Sequence, residues 1–220
     1  VPTQTISEQA TALRDQFATQ APPEVVAAFA AEQDRLDEAG QPSGVPAPGA
    51  PMPDGQLLDA HGQPTTLSQA REGRDAVVVL YRGAWCPYCN IALRTYQREL
   101  VPDLEARGIP LIAISPQKPD GSLTAQETND LTYTVLSDPG NQIARQLGIL
   151  TAPSEAARAA QAKLGLDLTE VNADGTASLP MPTVVLVDAA GTIRWIDVHP
   201  NYTTRTETPQ IIEAVKTVFP

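Results

Sequence analysis

Two cysteines, Cys86 and Cys89, are the only ones in this 220-residue chain, and Pro87 and Tyr88 lie between them. A bridge between thiols so close in sequence closes too small a loop to stabilise a fold much, so the spacing points to chemistry. If a strand gives way to a helix at Cys86, its sulfur meets unsatisfied N–H groups and the positive end of the helix dipole, which favour a thiolate. Such placement lowers a cysteine from about 8.5 to about 3.5–7.5. Cys86 is therefore the expected nucleophile. Cys89, one turn on and less exposed, is the expected resolving thiol, placed to attack a mixed disulfide on Cys86. Pro87 suits the first helical turn because it brings no N–H to satisfy. Trp85 either covers the sulfur and meets a substrate or fills the core. A zinc site usually takes four ligands, and beyond acidic groups only His61 and His199 remain, neither with ligand spacing, so no metal or other cofactor is expected.

The neighbouring segments supply that strand and helix. Ala76-Val77-Val78-Val79-Leu80-Tyr81 is a continuous apolar, β-branched run, as in a strand covered on both faces. Ile91, Leu93, Tyr96, Leu100 and Leu104 then keep helical spacing, with a kink expected near Pro102, and a second buried strand follows over 109–114. Strand, helix and strand make a parallel crossover unit. A short strand at Val135-Leu136, a turn at Ser137 to Gly140 and a helix carrying Ile143 and Leu147 come next, with Ser137 and Asp138 as turn and cap residues. Leu57-Leu58 and Thr65-Thr66-Leu67 read as short strands around a turn at Gly62. A strand at Val184 to Val187, another at Ile193 to Val198 and a helix from Pro209 to Val218 complete an α/β architecture, a mixed central sheet flanked by helices. Residues 151–179, alanine-rich and then polar, read as an insertion. Ahead of all this, residues 5–39 read as two helices, and Gly40 to Gly55, with Pro42, Pro46, Pro48, Pro51 and Pro53, as an extended linker. The expected division is thus a helical extension and linker over 1–45 and an α/β domain over 46–220.

Leu179-Pro180-Met181-Pro182-Thr183, about a hundred residues past the cysteines, precedes the Val184 strand, where a proline is tolerated. Trp85-Cys86-Pro87-Tyr88-Cys89 followed by Met181-Pro182-Thr183 resembles the thioredoxin superfamily. That resemblance implies a thioredoxin-like fold, a cis Met181–Pro182 bond facing the dithiol, and a Met181 backbone that pairs with substrate. Within the superfamily the chain resembles the AhpC/TSA peroxiredoxin-like group through Tyr81-Arg82-Gly83-Ala84-Trp85-Cys86-Pro87-Tyr88-Cys89-Asn90, Ala113-Ile114-Ser115-Pro116, Leu136-Ser137-Asp138-Pro139-Gly140-Asn141 and Leu179-Pro180-Met181-Pro182, over roughly residues 49–220. The group's usual motif, Pro-x-x-x-Thr-x-x-Cys with a downstream Arg, is altered. With Cys89 at the motif cysteine, Cys86 replaces the Thr, Arg82 the Pro, and Pro182 stands near the place of the Arg. The resemblance implies a thiol oxidoreductase that reduces hydroperoxides through a Cys86 sulfenate and a Cys86–Cys89 disulfide, recycled by a thioredoxin- or glutaredoxin-type reductant. Arg82 or Arg194 is expected to supply the positive charge that the altered motif lacks. Substrate contacts are expected from Arg82, Trp85, Met181 and Pro182. Exchange with protein disulfides, and a non-catalytic redox sensor, are the alternative readings.

A net charge of −11 repels phosphate backbones and anionic lipid, which excludes nucleic-acid and membrane partners. With 42% hydrophobic and 19% charged residues the composition suits a globular protein, and no apolar run approaches the roughly 20 residues of a membrane span. A cytoplasmic location is expected, and a removed export signal ahead of Val1 is compatible with the sequence. The stripe Ile6, Leu13 and Phe17 must bury against something, the body of the chain or a second copy in a homodimer.

Overall fold

The computed structural model describes residues 4–219; residues 1–3 and 220, the outermost parts of the two expected segments, lie outside the described residues. Thr5 opens helix α1 (Ile6–Gln20) with a capping box, its hydroxyl accepting from the Glu8 amide at 3.1 Å while the Glu8 carboxylate accepts from the Thr5 amide at 2.8 Å. Pro22-Pro23 ends this helix and starts α2 (Pro23–Ala39), where Pro23 is pre-set for the first turn. Residues 40–55 are docked more closely than a free linker: the Gly49 amide donates to the Ile193 carbonyl and the Met52 amide to the Gly191 carbonyl, each at 2.8 Å.

The domain then alternates strands and helices. Strands β1 (Leu57–Leu58) and β2 (Pro64–Thr65) form the expected hairpin, with Gly62 at φ +81°, and helix α3 (Leu67–Arg71) follows, capped by Thr66. Strand β3 (Ala76–Leu80) leads into α4 (Pro87–Glu99). Pro102 does more than kink this helix, because a break at Leu100 separates α4 from α5 (Val101–Ala106). Next come β4 (Leu111–Ser115), α6 (Pro119–Asn129), β5 (Thr134–Ser137) and α7 (Gln142–Gln146). Asp138 accepts from the Gln142 and Ile143 amides, each at 2.9 Å, and so caps α7. Strand β6 (Leu150–Thr151) is followed by α8 (Glu155–Lys163), α9 (Leu168–Val171) and β7 (Leu179–Pro180). Antiparallel pairing of β6 with β7 closes the neck of the segment read as an insertion. Strands β8 (Thr183–Val187) and β9 (Ile193–Val198) and helix α10 (Thr208–Val218) end the chain.

Seven strands form one mixed sheet in the order β2-β1-β5-β4-β3-β8-β9. The central trio β3, β4 and β5 is parallel, and β8 runs antiparallel beside β3. Every residue of β3, β4 and β8 is buried because helices cover both faces. The period-2 alternation assigns Val77, Val79 and Tyr81 to the face covered by α4 and α10, with Tyr96, Leu100 and Ile211. Ala76, Val78 and Leu80 pack on the opposite face with Leu67, Ile143 and Leu147. The central strand therefore enters the cysteine loop from a core fixed on both sides.

Candidate active site

Strand β3 delivers Tyr81 to a tight loop and Cys86 to the N-cap of α4, in extended backbone at φ −88° and ψ 111°. Three polar contacts hold the loop. The Ala84 amide donates to Gln117 Oε1 at 3.0 Å, Asn90 Nδ2 donates to the Ala84 carbonyl at 2.8 Å, and the Cys86 amide donates to the Gly83 carbonyl at 3.1 Å. Gln117 is itself held from Ser115 at the end of β4, and Asn90 accepts from Asn129 of α6. Gly83 permits one close approach: a Cβ there would lie 2.2 Å from Trp85 Nε1, so the indole lies directly over the glycine.

The sulfurs sit between two buried arginines. Arg82 Nη1 donates to Cys86 Sγ at 3.4 Å, and the Arg82 guanidinium is sandwiched between the rings of Trp85, at 4.8 Å, and Tyr202, at 4.1 Å. Arg205 Nη2 donates to Cys89 Sγ at 3.0 Å, while its Nη1 is anchored by the carbonyls of Tyr202 at 2.5 Å and Thr204 at 2.6 Å. The Arg82 backbone amide also faces Cys89 Sγ, at 3.4 Å. Burial alone would raise the Cys86 thiol, but the Cys89 thiol beside it and the charges of Arg82 and Arg205 outweigh burial and hold Cys86 well below the ordinary cysteine value. Burial pushes the Cys89 thiol well up, and the neighbouring Cys86 sulfur adds to that effect. The arrangement favours ionisation of Cys86 over that of Cys89, a requirement of nucleophilic sulfur chemistry.

The sequence-based expectations fare unevenly. Arg82, Trp85, Cys86 and Cys89 come together as read. Cys86 is as fully buried as Cys89, contrary to the expected difference in exposure, because α1 and α2 roof the loop. Cys86 lines a cavity of about 540 Å³ beneath those helices and Cys89 does not. Met181–Pro182 is trans, as is every peptide bond among the described residues, which corrects the expected cis bond. The Met181 amide donates to the Ile149 carbonyl at 2.8 Å and its carbonyl accepts from the Thr183 hydroxyl at 2.8 Å, so the backbone expected to pair with substrate is already paired within the chain. Those two contacts hold the segment extended into β8. Arg194, the alternative source of charge, instead faces Asp188 at 3.4 Å and is half exposed. Arg205, not Arg194, brings its guanidinium to the sulfurs. No spacing or period marks Arg205 in the sequence, since it lies in an irregular loop between β9 and α10. Tyr202, in the same loop, supplies one face of the Arg82 sandwich. His199 is engaged by Asp197 at 2.9 Å and Thr204 at 2.7 Å.

A family model described as AhpC/TSA matches residues 48–196, well over half of the chain. A Mycobacterium tuberculosis protein named as a peroxiredoxin is 32% identical over 96 residues, covering 44% of this chain and 60% of that protein, so the match falls short of two thirds of the relative's length. Among solved structures, a peroxiredoxin-like protein from Aquifex aeolicus aligns at TM-score 0.62 and 15% identity over 80% of this chain and 89% of that one. Reduced Prx3 from Vibrio vulnificus, solved with hydrogen peroxide, aligns at TM-score 0.62 and 16% identity over 78% of this chain and 99% of its own. At these identities the likeness shows the fold, which is the thioredoxin-like fold with its mixed sheet between helices. Helices α1 and α2, Tyr202 and Arg205 all lie outside the matched residues. On the strength of the matched segment, which spans the cysteine loop and the main sheet as far as the middle of β9, the chain belongs to the AhpC/TSA family.

Proposed function

We propose that the protein is a thiol peroxidase that reduces hydroperoxides through Cys86, with Cys89 as the resolving thiol and a thioredoxin- or glutaredoxin-type dithiol as reductant. The observation that carries this reading is the Cys86 sulfur itself, accepting from Arg82 at 3.4 Å, its ionised form favoured, at the floor of a cavity that a small molecule can occupy. The thiolate attacks one peroxide oxygen, forming the S–O bond as the O–O bond breaks. The other oxygen leaves as an alkoxide or hydroxide and takes up a proton, and Cys86, having lost two electrons, is left as a sulfenic acid. The Arg82 guanidinium, fixed between two rings, is preorganised to stabilise the charge moving onto the leaving oxygen.

Resolution follows from the second arginine. While Cys86 is a thiolate, a second negative charge on Cys89 is opposed. Oxidation to the neutral sulfenic acid removes that opposition, and Arg205, 3.0 Å away, then favours an ionised Cys89. Its sulfur attacks the Cys86 sulfur, the disulfide forms, and hydroxide leaves to become water with the proton that Cys89 released. The reductant returns both sulfurs to the reduced state by thiol–disulfide exchange.

Direct exchange with polypeptide disulfides is disfavoured by the internal pairing of the Met181 backbone, which leaves no edge there to align a peptide. The test is continuous NADPH consumption by reduced protein, peroxide and a thioredoxin recycling system, beside insulin reduction measured with a small thiol. Sustained peroxide turnover faster than insulin reduction is expected. A single stoichiometric oxidation without turnover, as in a sensor, or insulin reduction outpacing peroxide reduction, refutes the reading.

A further inference from the structure

Helices α1 and α2 are anchored on the domain and together wall a cavity above Cys86. The Glu207 carboxylate accepts from the amides of Ile6 at 3.0 Å and Ser7 at 2.7 Å, so α10 caps the start of α1, and Ile6 enters the main core. In the second half of α2, buried Glu32 pairs with Arg35 at 2.7 Å and accepts from the Ser154 amide at 3.3 Å, which ties α2 to the start of α8. Between these anchors the apolar stripe changes its use. Phe17 of α1 and Val26 and Phe29 of α2 face the cavity above Cys86, with the two phenyl rings 5.9 Å apart, and Leu13 of α1 lines it too while also packing against the main core. Leu164, just past α8, completes the wall and is 50% exposed, the one exposed large hydrophobic among the described residues.

The cavity is lined mainly by apolar groups, although Arg14, Asp15, Gln33 and Gln161 also contribute to it outside the cysteine loop. Its floor holds Cys86, Arg82 and the rings of Trp85, Tyr88 and Tyr202, and its walls and roof are mainly aliphatic and phenyl groups. A volume of about 540 Å³ falls within the roughly 300–1,000 Å³ typical of small-molecule sites. Hydrogen peroxide, close to water in size and polarity, would gain nothing from these walls. A hydroperoxide with an apolar body would bury that body against them while its O–O bond met the thiolate.

We propose that the N-terminal helical pair builds a substrate chamber that selects organic hydroperoxides carrying a bulky apolar group, phenyl or branched alkyl, over hydrogen peroxide. The inference rests on the peroxidase reading and adds to it a binding site supplied largely by α1 and α2, outside the matched family segment. The chemistry is unchanged: cumene hydroperoxide would leave as 2-phenyl-2-propanol while Cys86 becomes the sulfenic acid, and the dithiol reductant closes the cycle.

Two measurements test the chamber separately from turnover. In the first, 2-phenyl-2-propanol is titrated into the reduced full-length protein by calorimetry, with Trp85 fluorescence as a second readout. Saturable binding that weakens about tenfold or more in Val26→Trp, which fills the chamber, is expected. In the second, the ratio of kcat/KM for cumene hydroperoxide to that for hydrogen peroxide is compared between the wild type and both Val26→Trp and Leu13→Asn, with circular dichroism to confirm folding. The wild-type ratio is expected to exceed one and to fall about tenfold in the folded variants. No binding of the alcohol, or a ratio that neither variant moves, overturns the proposal. If the protein turns over neither peroxide, the peroxidase reading fails, and the binding measurement alone then decides whether the chamber takes an apolar ligand.

Discussion

Replacing Arg82 by Met removes the guanidinium donor 3.4 Å from Cys86 Sγ while keeping much of its bulk. Two unit charges at that separation interact by about 5 kcal/mol at an effective dielectric of ~20. The burial of both partners cancels part of this, since Cys86 and Arg82 are each shielded from solvent. Arg205 and the N-terminal end of α4 remain, so the variant keeps some support for the thiolate. Loss of one preorganised donor of this kind costs about 10²–10³ in rate, and the remaining support places Arg82→Met at the lower end, about a hundredfold in kcat/KM at neutral pH. The pH dependence gives the sign. In the wild type Cys86 ionises below the ordinary cysteine value, so the rate holds to lower pH than an ordinary cysteine allows and falls as pH drops through that lowered value. In Arg82→Met the thiolate fraction at neutral pH falls, and part of the lost rate returns as pH rises toward and beyond about 8.5. Ultraviolet thiolate absorbance across a pH series, read beside single-turnover peroxide kinetics, measures both quantities. Arg82→Lys serves as the control that keeps the charge and loses the flat stack between Trp85 and Tyr202. An unchanged thiolate titration with an unchanged rate would refute the argument. A slower rate with an unchanged titration would move the role of Arg82 from the thiolate to the leaving oxygen.

Cys86→Ser abolishes peroxide consumption, whereas Cys89→Ser carries out one oxidation to a sulfenic acid that a dimedone probe labels in mass spectrometry; the opposite pattern would exchange the roles of the two sulfurs. Arg205→Met slows disulfide formation more than sulfenate formation in stopped-flow traces and so accumulates over-oxidised Cys86 under excess peroxide, and equal slowing of both steps would remove the separate role given to Arg205. Gly83→Ala drives a Cβ to 2.2 Å from Trp85 Nε1 and displaces the indole from its stack on Arg82. Overpacking of this kind costs about 1–3 kcal/mol, which calorimetry reads as a fall in Tm of about 2–4 °C per kcal/mol for a chain of this size; an unchanged Tm would show that the loop accommodates the methyl group.

The parts of the fold with a strong apolar period were legible in the sequence. Strand β3 and the amphipathic start of α4 are of this kind, and they alone place Cys86 at a helix N-terminus. Helix α6 escaped because its buried face is Ser122, Ala125 and Asn129, which leaves no apolar stripe to read. Helix α3 is a single capped turn, shorter than any periodic signal. Arg82 was legible because it sits four residues from Cys86 in the same loop. Arg205 reaches Cys89 across 116 residues of sequence, and only the closing of β9 and α10 onto the sheet brings it there. The cis-proline expectation failed for a related reason. The segment Leu179 to Pro182 has the composition of a substrate loop, but its hydrogen bonds are decided by Ile149 and Thr183, one a distant partner and the other a local one. Half of the site is local sequence, and half is made by long-range pairing.

The nearer cation does not choose the nucleophile. Arg205 lies 3.0 Å from Cys89 and Arg82 3.4 Å from Cys86, so distance alone would make Cys89 the thiolate. Two carbonyls at 2.5 and 2.6 Å already draw on the Arg205 guanidinium, whereas Cys86 adds the N-cap of α4 to the Arg82 charge. Adjacent sulfurs do not both ionise readily, so a modest bias is enough, since about 1.4 kcal/mol is a tenfold preference. That bias is reversible by the chemistry it starts. When peroxide neutralises Cys86 as a sulfenic acid, the repulsion holding Cys89 silent is gone and Arg205 faces it without competition from a neighbouring charge. On the proposed reading the two arginines thus order the steps, attack by Cys86 first and resolution by Cys89 second. They also set the lifetime of the sulfenic acid, which is the interval in which a second peroxide could carry Cys86 to the irreversible sulfinic state.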